Sequence, residues 1–277
     1  ILEELKDRVA EPRRYEVLAS FVRACEAWDA LDFQRASQEL NRVIRLVRQY
    51  TGFGEPFVLA DSLTLMERQA SSLERLARLI PEKPRSSTLD LLRDEIGMKA
   101  LVFTVYENAL RREGQGKWDM AALLLYRLLE IMEQRRLATY GFDTSSPDYS
   151  VLSEGRAEPI LSRVNELRRL LNQEPLTALP APVSLLQGYM LLDAIGDPFN
   201  IARAGIHWKR FCYETESRNY SILAHGFIFV SQEQYLRFKD MVETLLKLFC
   251  DVEGIDRAEA EAEYRFADPW GQEESIG

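Results

Sequence analysis

The residues with the clearest chemical potential lie in one short stretch, where Arg218 and Asn219 precede His225. An arginine guanidinium is permanently charged and binds phosphate oxygens through two parallel hydrogen bonds. A histidine exchanges protons near neutral pH, and an asparagine amide can orient either group or a ligand oxygen. Together these side chains suit the cleavage of a phosphodiester. The spacing alone also fits a surface arginine followed by a structural histidine.

The distance between the two charged residues of this stretch bears on assembly. Arg218 and His225 are seven residues apart, so on one helix they share a face but lie about 10 Å apart along the axis. A single pair at that separation is too sparse for phosphoryl chemistry. A two-fold interface would bring two copies together, and closed dimers are the commonest assembly. We therefore expect a homodimer whose axis passes near His225.

The remaining metal-ligating residues do not form a recognisable site. The chain has two histidines, and its three cysteines show no short paired spacing (Cys25, Cys212 and Cys250). We therefore expect no metal and no cofactor. RNA cleavage needs neither when the 2′-hydroxyl of the substrate is the nucleophile. His207 lies between Ile206 and Trp208, which favours a structural packing role.

Basic and aromatic side chains surround the motif. Arg203, Lys209 and Arg210 form a small basic patch that would guide RNA, although a solvated helix face is an equal interpretation. Tyr213 and Tyr220 flank the motif, and aromatic rings of this kind stack on bases in single-strand binders. The alternative for each tyrosine is a core ring with its hydroxyl at the rim. We predict RNA contacts for the basic patch and Tyr220.

The composition places these residues in an ordinary globular chain. Its 277 residues are 46% hydrophobic and 29% charged, which excludes disorder for most of the chain. The net charge of −9 argues against a general nucleic-acid coat protein but leaves a local basic site open. No apolar run is long enough to span a membrane, and no signal peptide is visible. With unpaired cysteines, this predicts a cytoplasmic protein.

Apolar residues recur at helical spacing along almost the whole chain, which predicts an all-α fold of nine or ten helices. Glycine and proline clusters separate the periodic segments. The predicted helices cover, approximately, residues 15–31, 33–47, 63–80, 86–112, 118–137, 158–171, 183–195, 201–215, 217–229 and 232–249.

Two of the predicted helices resemble each other. Each begins with an aromatic residue, carries alanine three positions later, and then a leucine and an arginine (Phe33, Ala36, Leu40 and Arg42; Trp118, Ala121, Leu125 and Arg127). This pattern is typical of closely packed helix pairs in helix-turn-helix repeats. Two unrelated amphipathic helices would give the same match, and two copies are too few for a solenoid.

The motif region resembles a known family. Arg218 and His225, separated by six residues of which the first is the polar Asn219, resemble the Arg-x(4–6)-His signature of HEPN domains, at the long end of the allowed spacing. Residues 116–127 and 140–144 look like the helical part of CRISPR-associated CARF–HEPN effector ribonucleases. The resemblance implies a dimeric, all-helical domain that cuts single-stranded RNA without metal, with Arg218, Asn219 and His225 as catalytic residues.

The same resemblance implies regulation and a division of the chain. In this group an upstream CARF domain, which this chain does not show, binds a cyclic oligoadenylate from the type III CRISPR complex and activates the nuclease in antiviral defence. We expect a helical region with TPR-like packing over 1–150, a HEPN core over 151–252 and a solvated acidic tail over 253–277. The alternative function is a non-catalytic helical dimerisation or scaffold module.

Overall fold

The computed structural model describes residues 12–51, 58–81, 87–153, 155–219 and 229–269. These residues form eleven α-helices, two 3-10 turns and no strand, so the predicted all-α class is confirmed. The 3-10 turns are Ala60–Ser62 and Tyr149–Val151. The helices are α1 (Pro12–Asp29), α2 (Phe33–Thr51), α3 (Leu63–Leu79), α4 (Leu89–Arg93), α5 (Glu95–Gly114), α6 (Trp118–Thr139), α7 (Ala157–Leu170), α8 (Leu185–Ile195), α9 (Trp208–Asn219), α10 (Gln232–Glu253) and α11 (Arg257–Tyr264).

The chain divides into two compact units, one of residues 1–80 with 261–277 and one of residues 81–260. In the first unit, α2 packs against both α1 and α3. The Gln69 amide on α3 donates to the backbone carbonyls of Glu263 and Arg265 at 2.7 and 2.9 Å. The C-terminal segment therefore completes the unit that the N-terminal helices begin.

The similarity between α2 and α6 has a structural counterpart in the turns before them. Phe33 is the first residue of α2, and Leu31, two positions earlier, has a left-handed backbone with φ 61°. Trp118 is the first residue of α6, and Gly116, two positions earlier, has a left-handed backbone with φ 69°. In each turn the next amide donates at 2.9 Å to a carbonyl five residues earlier (Asp32 to Ala27; Lys117 to Arg112). Both helix pairs are thus hairpins with the same turn.

Helix α6 is the centre of the second unit, where it packs against α5, α8 and α10. The prediction of one helix over 86–112 is wrong, because two helices occupy this stretch. α4 ends at Arg93, α5 begins at Glu95, and Asp94 separates them. Asp94 has an extended backbone with ψ 115°, and its carboxylate accepts the Gly97 amide at 2.7 Å. This side-chain cap satisfies an amide of the first turn of α5 that the helix cannot pair.

A carboxyl group is buried where α6 meets α8. Glu133 is 2% exposed, and its Oε1 has no hydrogen-bond partner. The facing residue is Gly188, where a Cβ atom would lie 2.8 Å from the Glu133 Cγ and closer still to its carboxyl group. Burial raises the pKa of Glu133 well above its ordinary value. The close approach of the two helices therefore depends on glycine at 188.

The expectation that the acidic tail over 253–277 is solvated is wrong at Glu253 and Glu263. Glu253 accepts hydrogen bonds from Arg135 at 2.8 Å and from Arg136 at 2.6 Å, with 9% of its side chain exposed. Glu263 is also buried. Burial opposes ionisation, but the two guanidinium groups lower the pKa of Glu253 below its ordinary value.

Candidate active site

Helix α9 carries the first half of the motif. The prediction of a helix over 201–215 and a second from 217 is wrong, because turns occupy 201–205 and one helix runs from Trp208 to Asn219. Gly205 has φ 70°, and the Ile206 amide donates to the Ile201 carbonyl at 3.1 Å. This left-handed turn precedes the helix, and Arg218 and Asn219 are the last two described residues of that helix.

An aromatic cluster seats the N-terminal part of α9. Phe211 on α9 packs against Tyr189 of α8 with ring centroids 4.8 Å apart, and against Trp208 at 6.1 Å. Phe199, in the loop before α9, lies 5.7 Å from Tyr189 and 5.6 Å from Phe249 of α10. These rings fix the base of the helix whose far end carries Arg218.

A buried aspartate, which the sequence reasoning missed, organises the loop before α9. The Asp197 carboxylate accepts hydrogen bonds from Arg136 at 2.7 Å, from Tyr140 at 2.9 Å and from the Phe199 amide at 2.7 Å. Asn200 in turn accepts the backbone amide of Arg203 at 2.9 Å. The sequence Asp197-Pro198, a turn signal, was the available indication.

Two charged contacts join α9 to α10. Arg210 donates to Asp240 at 2.9 Å, and Arg237 lies 3.8 Å from the buried carboxylate of Glu214. Burial raises the pKa of Glu214, while Arg237 and Arg210 act in the opposite direction. Both side chains of the Arg210–Asp240 pair are exposed, so it contributes little stability and leaves the Arg210 guanidinium accessible.

The chain on the far side of the motif is anchored by two other helices. The Val230 amide donates to the Asp119 carboxylate at the start of α6, at 3.0 Å. Ser231 caps α10, with reciprocal hydrogen bonds to Gln234. Tyr220 and His225, the remaining predicted contact and catalytic residues, lie outside the described residues. The described part of the chain therefore stops at Asn219 within the motif and resumes at Phe229.

The predicted RNA-binding residues lie on the surface at the N-terminal end of α9 and just before it. Arg203, Lys209 and Arg210 are all exposed. In the register of α9, Lys209 and Arg218 lie on opposite sides of the helix, whereas Arg210 lies about 80° from Arg218. Tyr213 is 63% exposed, so its interpretation as a core residue is wrong.

The other histidine and the thiol of this region have ordinary surroundings. The interpretation of His207 as a packing residue is wrong, because its side chain is exposed between the buried Ile206 and Trp208. The Cys212 thiol is buried and donates to Glu216 at 3.2 Å. Burial and this carboxylate raise the pKa of Cys212 to about 12. A thiol held protonated in this way is a poor nucleophile.

Two kinds of feature are missing from the part of the chain that the structure describes. No three histidine, cysteine, aspartate or glutamate side chains in that part gather closely enough to hold a metal ion. Within the same residues, every helix is too short or too polar to cross a membrane.

Comparison with known proteins assigns the region that contains this site. The family model described as Csm6 HEPN domain matches residues 93–249, more than half of the chain. The chain belongs to the Csm6 HEPN domain family. The match begins in the last residue of α4, includes α5 to α9 and most of α10, and contains both Arg218 and His225. The resemblance to HEPN domains is confirmed.

A curated relative supports the same assignment. The chain is 27% identical over 216 residues to a protein of Thermus thermophilus named CRISPR system endoribonuclease Csm6. The aligned part is 77% of this chain and 42% of the relative. The chain therefore spans less than half the length of the curated relative that it matches.

Proposed function

We propose that this HEPN domain is a metal-independent endoribonuclease that cuts single-stranded RNA. The observation that carries the proposal is the Arg218-Asn219-x5-His225 sequence inside the region matched by the Csm6 HEPN domain family. The name of the Thermus thermophilus relative, an endoribonuclease, supports it. The position of Arg218 on α9, a helix whose N-terminal part packs in the core, also supports the proposal.

In the proposed reaction, the substrate's own 2′-hydroxyl attacks the adjacent phosphorus. The bond to the 5′-oxygen breaks, and that oxygen leaves with a proton. The products are a 2′,3′-cyclic phosphate and a 5′-hydroxyl. His225 assists the proton transfers or orients the phosphate, Arg218 neutralises the charge that develops on it, and Asn219 positions either group.

Two copies of the motif would complete the site, so we propose a homodimer with its axis near His225. Arg203, Lys209, Arg210 and Tyr220 would guide the RNA towards the cleft. We further propose that a cyclic oligoadenylate, bound by a CARF domain elsewhere in the full protein, controls the activity in CRISPR-associated defence. Light scattering tests the dimer, and a strict monomer that retains nuclease activity would contradict it.

The chain offers a matched pair of histidine variants for the activity test. The protein is incubated with a fluorescent single-stranded RNA in excess EDTA, and the product termini are identified by mass spectrometry. We expect His225→Ala to lose about 100-fold or more of the rate, as is typical for a pre-aimed catalytic group. His207→Ala, which alters the exposed histidine just before α9, should cleave like the wild type.

Arginine variants refine the assignment. Arg218→Lys should lose much of the activity, because an ammonium group cannot reproduce the planar guanidinium fork. Arg127→Lys, on an exposed ion pair with Glu130, should not. RNA with 2′-O-methyl at the cut should resist. A 3′-hydroxyl product that requires magnesium would overturn the mechanism, and full activity of His225→Ala would overturn the site. Absence of cleavage by every variant, the wild type included, would favour the scaffold module.

A further inference from the structure

The outer face of α2, in the first unit, carries a stripe of arginine and glutamine side chains. We call it the α2 stripe. All of its five members are exposed (Arg35, Gln38, Arg42, Arg45 and Gln49). Their spacing of three and four residues repeats with the helix, so at about 100° per residue they fall within an arc of about 80°. The three arginines span about 15 Å along the axis.

The α2 stripe lies directly opposite the side of the helix that faces the core. The buried residues of α2 share an arc centred about 180° from the stripe (Phe33, Ala36, Ser37, Leu40, Val43, Ile44 and Val47). No large apolar side chain of α2 is exposed. The outward face is therefore polar along its length, whereas the buried centre of a protein–protein interface is typically apolar and depleted of charged residues.

The charges of α2 separate into paired flanks and an unpaired stripe. Glu39, the only acidic residue of the helix, lies 3.6 Å from Arg23 of α1, and Arg48 pairs with Glu67 of α3. The arginines of the stripe form no ion pair within the part of the chain that the structure describes. Four arginines and one glutamate give α2 a net charge of +3, in a chain of net charge −9.

We propose that the α2 stripe binds the phosphodiester backbone of single-stranded RNA, as a contact surface separate from the HEPN motif. The three guanidinium groups match phosphate oxygens in charge and geometry, and the glutamine amides donate to phosphate, ribose or base edges. The choice of RNA as the ligand rests on the proposed function. An acidic protein is the competing ligand, and the polar face disfavours it.

A charge-neutralising variant tests the proposal in the full chain. The variant Arg35→Gln/Arg42→Gln/Arg45→Gln keeps good helix formers and removes three positive charges. The control, Arg48→Gln/Arg127→Gln/Arg163→Gln, removes the same charge from arginines that are already paired with glutamates. Binding of a fluorescent, fully 2′-O-methylated 20-nucleotide RNA is followed by anisotropy at several salt concentrations, with circular dichroism as the check on folding.

The expected result is a change in the salt dependence of binding. Each neutralised phosphate of a single strand contributes about 0.7 to the slope of log affinity against log salt, so three contacts contribute about 2. The α2 variant should lose that slope and bind about 100-fold more weakly at 0.1 M salt. The control triple variant should keep the slope of the wild type.

Equal slopes and affinities for the α2 variant and the control would overturn the proposal. A second result would also overturn it. If fluorescent poly-L-glutamate binds the wild type as tightly as RNA does, and binds the α2 variant more weakly by the same factor, the stripe is a binding site for acidic proteins. Cleavage of unmodified RNA is measured separately. If the chain cleaves RNA but its RNA binding does not depend on the α2 stripe, this inference is refuted and the nuclease stands. If binding depends on the α2 stripe but no cleavage occurs, this inference stands and the scaffold module is favoured.

Discussion

The buried carboxyl group of Glu133 predicts a stability that depends on pH. Glu133 is 2% exposed in the contact between α6 and α8, and its Oε1 has no hydrogen-bond partner. Burial is the main cause of its raised pKa; the Glu130 charge adds to the shift, and Arg127 opposes it. Glu133→Gln replaces the group with a neutral isostere of the same shape, so it removes the titration without opening a cavity.

The sign and magnitude follow from proton linkage. Glutamate in the unfolded chain titrates near pH 4.3, whereas the folded chain keeps the Glu133 proton to higher pH. Above pH 4.3 the folded state therefore binds up to one proton more than the unfolded state. Each pH unit then lowers the free energy of unfolding by up to about 1.4 kcal/mol. Because glutamine does not titrate, the advantage of Glu133→Gln should grow by up to about 3 kcal/mol between pH 5 and 7.

Urea unfolding at pH 5, 6 and 7 measures this difference in the free energy of unfolding. Glu158→Gln is the matched control, since Glu158 is exposed in the first turn of α7. It gives the baseline for a glutamate-to-glutamine change at an exposed position in the same measurements. An advantage of Glu133→Gln that grows with pH no more than this baseline would refute the reasoning.

Three other substitutions give sharp stability predictions, each measured by urea unfolding. Leu31→Gly should raise the free energy of unfolding by about 1 kcal/mol, because glycine adopts φ 61° without strain; no gain would contradict this. Gly188→Ala should lower the free energy of unfolding by about 1–3 kcal/mol, because the added methyl group overpacks against Glu133. The loss should be smaller when Glu133→Ala is already present, and equal losses in the two backgrounds would contradict the contact. Arg136→Met should cost about 3–5 kcal/mol at pH 7, because it leaves the buried Asp197 without its guanidinium partner and Glu253 with Arg135 alone. The cost should shrink in acid, where Glu253 becomes protonated, and a cost independent of pH would contradict the pairing.

The positions of several helices could be predicted from the sequence because the signals that set them are local. The start of α6 at Trp118 and the start of α10 at Gln232 are as predicted, since the turn at Gly116 precedes α6 and Ser231 caps α10. The break at Asp94 was missed, although the local sequence contains it. The apolar residues continue at helical spacing across Asp94, and this pattern predicts a single helix although an aspartate is also a common helix cap.

One part of the candidate site could be predicted from the sequence, and another part could not. The order of Arg218, Asn219 and His225 is a property of the sequence, and it indicated the family before any geometry was known. The support beneath α9 was not predictable from the sequence. Asp197 receives its main charge partner, Arg136, from a position 61 residues earlier in the chain, and nothing local indicates that contact.

The sequence alone determined the helical class, most helix positions and the motif, because helix periodicity, caps and a seven-residue spacing are all encoded within a few turns. Only the tertiary structure decided which charged residues are buried. Glu133 and Glu253 look like ordinary acidic residues of amphipathic helices. Glu133 is nevertheless buried with one carboxyl oxygen that has no hydrogen-bond partner, and Glu253 pairs with two arginines. The physical reason is that desolvation and ion pairing depend on neighbours brought from distant parts of the chain.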